Sequence, residues 1–257
     1  MNQTIFLYGY LVGSLCAGAV FLHLLPRLEK LGKQISDWFC VAPGIDLALA
    51  YFMLLPITVG AVTLGWQGLG IALLAEFSSL WLWIIVHELS HRDAKKQAKI
   101  HGQLSRIVGT WRNHLAVWIT ALAVPLFWLV RFTEIIVYPP LTLLIKLPKY
   151  KSADWVNVSR QKFSGLVGYD LIWCLYCDWM TGVWSLGTEM LRNVESFWCP
   201  IRFYSEKKCA NCQIDFPDVA DGWISAEGTL QDVTDLLAAK YQPDQASRSW
   251  FGHAQRD

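Results

Sequence analysis

Long apolar stretches constrain the fold of this chain more than any other feature of its sequence. Residues 5–25, 43–65 and 68–89 each contain few charged side chains and approach the roughly 20 residues that a helix needs to cross a bilayer. Residues 114–147 form a longer apolar stretch that is interrupted by charges and by a Pro-Pro pair. Because lipid offers no partners to backbone N–H and C=O groups, stretches of this kind are expected to be helical.

The composition also indicates a membrane protein. Of the 257 residues, 54% are hydrophobic, only 17% are charged, and 14 are tryptophans. An average soluble domain has about 25% charged residues. The formal net charge is +1, which does not favour nucleic-acid binding. We therefore expect an all-α, polytopic integral membrane protein, with three or four transmembrane helices in residues 1–147 and membrane lipids around them.

The distribution of basic residues predicts how the chain is oriented. Arg27, Lys30 and Lys33 follow the first apolar stretch, and residues 92–112 form a second basic loop after the third. By the positive-inside rule, both loops lie in the cytoplasm and the N-terminus lies outside, as in a bacterial inner membrane protein. Residues 114–147 are again followed by basic residues, so both a re-entrant hairpin and a true fourth span stay open.

The end of the third stretch carries the motif His87-Glu88-Leu89-Ser90-His91. On a helix, residues i and i+4 lie one above the other, so His87 and His91 can present two imidazoles to one metal ion. Glu88 then lies beside them as a candidate general base. The structural alternative is that both histidines mark the place where a transmembrane helix meets water.

Three further candidate ligands are expected at the same membrane depth. His23 lies near the end of the first stretch, Asp46 near the start of the second, and His114 at the start of the fourth. If the helices form a compact bundle, these side chains converge with the His-Glu-x-x-His motif just beneath the cytoplasmic headgroups. The alternative is that histidines simply collect at the interface, as Trp and Tyr do.

Residues 152–241 are expected to form a cytoplasmic domain with metal-binding cysteines. In a reducing compartment, paired cysteines indicate metal or redox chemistry rather than structural disulfides. Thiolates suit Zn²⁺ and also an iron–sulfur cluster, and the spacing leaves both open. The candidate ligands are Cys174, Cys177, Cys199, Cys209 and Cys212.

Two helices are predicted within residues 152–241. Residues 168–192 are apolar and helical in pattern, so Cys174 and Cys177 share a metal-binding helical face, lie on the membrane surface, or belong to a further transmembrane span. Residues 229–241 begin with a Thr-x-x-Asp capping pattern and carry apolar residues at helical spacing. The remaining residues, 242–257, are polar and are expected to form a loose tail.

The motif His87-Glu88-Leu89-Ser90-His91 resembles the zinc motif of the membrane-bound gluzincin peptidases. In that group a later helix opens with Ser-Arg and supplies a glutamate as third zinc ligand; here Ser159-Arg160 follows in the expected order, without that glutamate. The resemblance implies a Zn²⁺-dependent hydrolase in which His87 and His91 bind the ion. It also implies that Glu88 is the catalytic base, which takes a proton from the water that attacks a peptide carbonyl.

Two other functions use the same residues. Glu88 and His91 also form a Glu-x-x-His pattern, and a cluster of histidines and carboxylates can hold non-haem iron in a membrane oxidase. A cysteine-bound iron–sulfur cluster would supply its electrons. The non-enzymatic alternative is an accessory or assembly subunit of a larger membrane complex, with structural zinc on its cysteines.

Overall fold

The computed structural model describes residues 3–91, 99–215, 219 and 222–248. All regular secondary structure in these residues is helical, which confirms the predicted all-α fold. Two compact units are present, Met1–Val124 with Ser152–Gly182 and Pro125–Lys151 with Val183–Asp257. The α-helices are α1 Gln3–Leu24, α2 Glu29–Trp38, α3 Gly44–Leu49, α4 Leu55–Ser90, α5 Ile100–Val108, α6 Thr110–Ala121, α7 Val124–Phe132, α8 Tyr138–Leu144, α9 Ser152–Trp155, α10 Gly168–Trp198, α11 Glu206–Asp215 and α12 Leu230–Lys240.

In the first unit, α4 folds back on itself at Leu64 and Gly65. Both residues have non-helical backbone angles, and Gly65 has a φ of 56°, which glycine adopts without a steric cost. Gly60 lies directly against the backbone of Gly68. In a straight helix these residues would be about 12 Å apart, so the two parts of α4 run antiparallel.

The N-terminal helix packs against this hairpin. Leu7 and Leu11 of α1 form a buried cluster with Ile71, Ala72 and Ala75 of α4. Both alanines are fully buried, so the two helices approach each other closely. Close approach through small residues is the usual way in which helices pack in membranes.

Within the part of the chain that the structure describes, three helical segments are long and apolar enough to cross a membrane: Gln3–Arg27, Gly44–Ser90 and Thr110–Leu144. Many of their large apolar side chains are exposed, for example Phe6 and Trp66, as is expected where a helix faces lipid. These segments support the prediction of a membrane protein. The second segment contains the break in α4, and its two halves occupy the positions of the predicted spans 43–65 and 68–89.

A tight turn at Gly109 joins α5 to α6. Gly109 has a φ of 92°, a conformation that favours glycine. Asn113 is buried and donates its side-chain N–H groups to the backbone oxygen of His101 and to Oγ of Ser105, both at 3.1 Å. These hydrogen bonds hold α6 against α5 and bring His114 close to His101.

Helix α10 begins at Gly168 and continues beyond the predicted residue 192 to Trp198. The segment Ser152–Gly182 belongs to the first compact unit. Backbone hydrogen bonds explain this placement, since Ala42 donates to the oxygen of Val156 at 2.9 Å and Val158 donates to the oxygen of Cys40 at 2.8 Å.

In the second unit, a buried ion pair lies on the third candidate span. Arg131 and Glu134 are 1% and 4% exposed, and Nη1 and Oε2 are 2.6 Å apart. Gly187 of α10 packs beside them, and a methyl group there would come within 2.7 Å of Val130. The charges that interrupt residues 114–147 are therefore met by protein, as charges at membrane depth need to be.

The predicted capping pattern of α12 is confirmed. Oδ2 of Asp232 accepts a hydrogen bond from the backbone N–H of Thr229 at 2.7 Å, and Oγ1 of Thr229 accepts one from the N–H of Asp232 at 3.3 Å. Together the two bonds form a capping box at the start of the helix.

Candidate functional site

The His-Glu-x-x-His motif ends α4 and holds the start of α10. The backbone N–H of Gly168 donates to Nδ1 of His87 at 3.1 Å, and the N–H of Tyr169 donates to Oε1 of Glu88 at 3.4 Å. Lys99 forms an ion pair with the other carboxylate oxygen of Glu88. Since the first N–H groups of a helix have no partner within the helix, His87 and Glu88 act as its caps.

Hydrogen bonds assign the proton position in both motif histidines. A backbone N–H donates to Nδ1 of His87, so neutral His87 carries its proton on Nε2. Nδ1 of His91 lies 2.9 Å from the carbonyl oxygen of His87, which can only accept. His91 therefore carries its proton on Nδ1, and its Nε2 has the lone pair that a metal ion needs.

His23 lies next to the motif. Its ring centroid is 6.4 Å from that of His87, and the rings of His87 and His91 are stacked with centroids 4.3 Å apart. Nε2 of His23 accepts a hydrogen bond from Arg27 at 2.9 Å. The structure thus brings together three of the predicted ligands, His23, His87 and His91, with Glu88 beside them.

A second group of polar side chains lies around Asp170, and its histidine, His101, was not among the predicted candidates. Asp170 is 9% exposed. Its carboxylate accepts hydrogen bonds from the backbone N–H of Ile100 at 2.9 Å, from the N–H of His101 at 3.0 Å, and from Nδ1 of His101 at 3.0 Å. Because the carboxylate accepts and does not donate, His101 carries its proton on Nδ1 and has a lone pair on Nε2.

His114 completes this second group. Its Nδ1 lies 3.0 Å from the hydroxyl oxygen of Tyr169, and its ring centroid lies 6.2 Å from that of His101. Burial raises the pKa of Tyr169 above its ordinary value, so its hydroxyl is neutral at pH 7 and can either donate or accept. The predicted ligand His114 is thus paired with His101.

Consecutive residues at the start of α10 connect the two histidine groups. Gly168 contacts His87, Tyr169 contacts Glu88 and His114, and Asp170 contacts His101. An aromatic cluster surrounds the hydroxyl-bearing ring of Tyr169: Trp81 is stacked on it with centroids 5.9 Å apart, and Trp173 lies edge-on at 6.1 Å. The start of α10 therefore organises the polar centre of the first unit.

Two other parts of the predicted site are also in the first unit. Asp46 is buried at the start of α3. Ser159 precedes a 3₁₀ turn of three residues, Arg160–Lys162, instead of a long helix. The backbone N–H groups of Ser159 and Arg160 both donate to the carboxylate of Asp178. Across residues 3–91, 99–215, 219 and 222–248, no group of three or more His, Cys, Asp or Glu side chains is arranged to hold a metal ion.

The cysteines whose side chains are described are free thiols. Cys174 is half-buried on α10, and burial raises the pKa of its thiol. Cys177, one turn further along α10, and Cys199, directly after the helix, are exposed. The backbone of Cys209 and Cys212 lies in α11, but the metal site predicted on their side chains lies outside the described residues.

No protein-family model, curated protein or solved structure matches this chain. The function therefore has to be inferred from the residues of the site and their chemistry.

Proposed function

We propose that this chain is an integral membrane, metal-dependent hydrolase in which Glu88 is the catalytic base. The observation that carries the proposal is the position of His23, whose imidazole lies near those of His87 and His91 and the carboxylate of Glu88. The three rings are not yet arranged to hold an ion, so metal binding has to reorient them. Three protein ligands and one open position are typical of catalytic zinc sites. Imidazole ligands favour Zn²⁺ over Mg²⁺ and Ca²⁺.

The hydrogen bonds of the three histidines determine what metal binding requires. His91 has its lone pair on Nε2 and can bind an ion as it stands. His87 has to move its proton from Nε2 to Nδ1, which breaks its hydrogen bond with Gly168. His23 has to release Arg27 if it binds through Nε2. Metal binding is therefore coupled to a shift at the start of α10.

The chemistry of the proposed reaction is the addition of water across an acyl bond. Held by His23, His87 and His91, a Zn²⁺ ion would polarise the carbonyl and lower the pKa of the attacking water. Glu88 takes one proton from the water, whose oxygen bonds to the carbonyl carbon, and the same proton then passes to the leaving nitrogen as the C–N bond breaks. Lys99 forms an ion pair with Glu88 and holds its carboxylate in place before this transfer.

The proposal includes an orientation in the membrane. Arg27, Lys30 and Lys33 after the first candidate span support a cytoplasmic position for the histidine end of α1 and α4, with the N-terminus outside. A bacterial inner membrane fits this arrangement. Labelling intact spheroplasts with a membrane-impermeant maleimide tests it: Lys33→Cys, at an exposed position after the first candidate span, should gain label only after the cells are lysed.

The hydrolase proposal is tested on detergent-purified protein by zinc analysis and by cleavage of fluorescein-labelled casein. Glu88→Gln should keep the zinc of the wild type and lose at least 100-fold in rate, because it removes the proton acceptor. His91→Gln should lose both zinc and activity. Lys99→Met is the matched control, since it breaks the same ion pair but leaves the carboxylate in place. A Glu88→Gln variant as active as the wild type would contradict the proposal.

A non-enzymatic role is the second candidate, and one observation favours it. His87 and Glu88 already cap α10, so the motif has a structural use without any metal. As an accessory subunit of a larger membrane complex, the chain should bind no zinc at His91, and Glu88→Gln should only lower thermal stability. Lys99→Met should then lower it by a similar amount, because both variants lose the same ion pair.

A further inference from the structure

We propose that His101 and His114 form a separate metal site that takes a divalent transition ion, Cu²⁺ or Zn²⁺. This inference goes beyond the proposed hydrolase, because it uses neither Glu88 nor the histidines beside it. It rests on the hydrogen bonds of the two side chains, on their separation, and on their access to solvent.

The separation of the two rings suits a shared ion. The centroids of His101 and His114 are 6.2 Å apart. A metal–Nε2 bond of about 2.1 Å puts an imidazole centroid about 3.2 Å from the ion, so two rings on one ion have centroids at most about 6.4 Å apart. The observed distance corresponds to an angle of about 150° at the ion, which suits two opposite ligands of a tetragonal Cu²⁺ site. For the tetrahedral angle of Zn²⁺ the two rings have to approach each other by about 1 Å. Water or a ligand from solution then fills the other coordination positions.

Asp170 gives His101 the tautomer that a metal ligand needs. Its carboxylate accepts the proton of Nδ1 at 3.0 Å, which leaves Nε2 as the metal-binding atom. A carboxylate behind a histidine is the common arrangement in metal sites, because it fixes the ring and makes Nε2 more basic. Asp170 is itself held by two backbone N–H groups, so its position is fixed before any ion arrives.

Tyr169 plays the same part for His114. Its neutral hydroxyl oxygen can accept a hydrogen bond from Nδ1 of His114 at 3.0 Å, which leaves Nε2 free to bind. Unlike His87, neither His101 nor His114 has to break a hydrogen bond to become a ligand. The side chain of His101 is 25% exposed, so an ion can reach the site from solution.

The experiment is a Cu²⁺ titration of the chelator-treated, detergent-purified full chain, followed by electron paramagnetic resonance. In a His91→Gln background, which removes the proposed hydrolase site, the chain should bind Cu²⁺ with hyperfine structure from imidazole nitrogen. His101→Gln and His114→Gln should each remove that signal, and Asp170→Asn should weaken binding about 10-fold to 100-fold. Asp178→Asn is the matched control, because Asp178 also accepts backbone hydrogen bonds but contacts neither histidine.

A second measurement uses only the wild type and does not depend on the folding of a variant. Diethyl pyrocarbonate modifies imidazoles that have an accessible lone pair, and bound Zn²⁺ should protect His101 and His114 from it, as read by mass spectrometry. The inference is overturned if Zn²⁺ gives no protection, or if His101→Gln and His114→Gln retain the Cu²⁺ signal. Loss of the signal in His91→Gln alone would also overturn it and would leave the hydrolase proposal standing. Conversely, Glu88→Gln tests the hydrolase without changing His101, His114 or Asp170.

Discussion

Gly168 donates its backbone N–H to Nδ1 of His87 at 3.1 Å, which ties the last turns of α4 to the first residue of α10. The two residues are far apart in sequence, and the bond fixes both the tautomer of His87 and the position of the next residues of α10. Gly168 also has a φ of 52°, and a methyl group on it would strike the side chain of Glu88. The chain therefore needs glycine here for two reasons, its backbone conformation and the space beside Glu88.

Gly168→Ala is expected to destabilise the protein more than Gly65→Ala. Both glycines have a similar positive φ, but the space around Gly65 is open, with no atom within 4 Å of the added methyl group. A positive φ costs alanine about 1 kcal/mol or more at either position. The clash with Glu88 adds about 1–3 kcal/mol at Gly168. Thermal unfolding in detergent measures the difference, and equal melting temperatures would show that Glu88 does not fill this space.

Arg131→Met is expected to destabilise the second unit strongly. The side chains of Arg131 and Glu134 are each 2% exposed, so removal of the arginine leaves a buried charge, at a cost of about 3–5 kcal/mol. The double variant Arg131→Met/Glu134→Gln should regain part of this loss. Arg112→Met is the control, because Arg112 is exposed and should change stability by only about 0.5 kcal/mol. Unfolding in detergent measures the unfolding free energy of the single, the double and the control variant. A double variant less stable than Arg131→Met would contradict the expectation.

The parts of the fold that depend on local pattern are predicted well from the sequence. The apolar stretches mark the candidate spans, and the Thr-x-x-Asp pattern locates the start of α12, because the residues that decide these features are neighbours in the chain. The His-Glu-x-x-His motif was likewise found from its spacing. The role of the motif as a cap for α10 cannot be predicted in this way, because it depends on Gly168 and Tyr169, which are distant from the motif in sequence.

His101 shows the same limit for the site. It lies in the basic loop whose charges indicate the orientation of the chain in the membrane. No sequence spacing connects it with His114. The signal that could have found it is Gly109, which lies between the two histidines and turns α5 into α6. Even so, the tautomer of His101 is set by Asp170, at a sequence separation of 69. A contact between residues so far apart in sequence leaves no local pattern.

Thr229→Ala is expected to destabilise α12. The variant removes the Oγ1 acceptor for the backbone N–H of Asp232 and a donor to its carboxylate, and loss of a threonine N-cap costs about 1 kcal/mol. Thr229→Ser keeps both groups and should behave as the wild type. The hydroxyl and the backbone N–H of Thr229 both donate to the carboxylate of Asp232 and lower its pKa. The stabilisation from the hydroxyl bond is therefore fully present above the ordinary aspartate pKa and is lost as the pH falls through the lowered value. The measurement is the unfolding free energy of each variant at pH 7 and at pH 3. If the difference in unfolding free energy between Thr229→Ala and Thr229→Ser is the same at both pH values, the prediction is contradicted.

Cys174 is expected to react with iodoacetamide several times more slowly than Cys177 at pH 8. Both thiols lie on α10, but Cys174 is half-buried and burial raises its pKa, whereas Cys177 is exposed. Because the thiolate is the reactive form, a raised pKa leaves less of it at pH 8, and the difference in rate should narrow as the pH rises. Mass spectrometry of timed samples gives the two rates, with Cys199 as the exposed reference. Equal rates at pH 8 would contradict the assignment. Protection of both Cys174 and Cys177 that a chelator removes would instead support the predicted metal-binding face on this helix, since a bound metal ion holds thiolates away from the reagent.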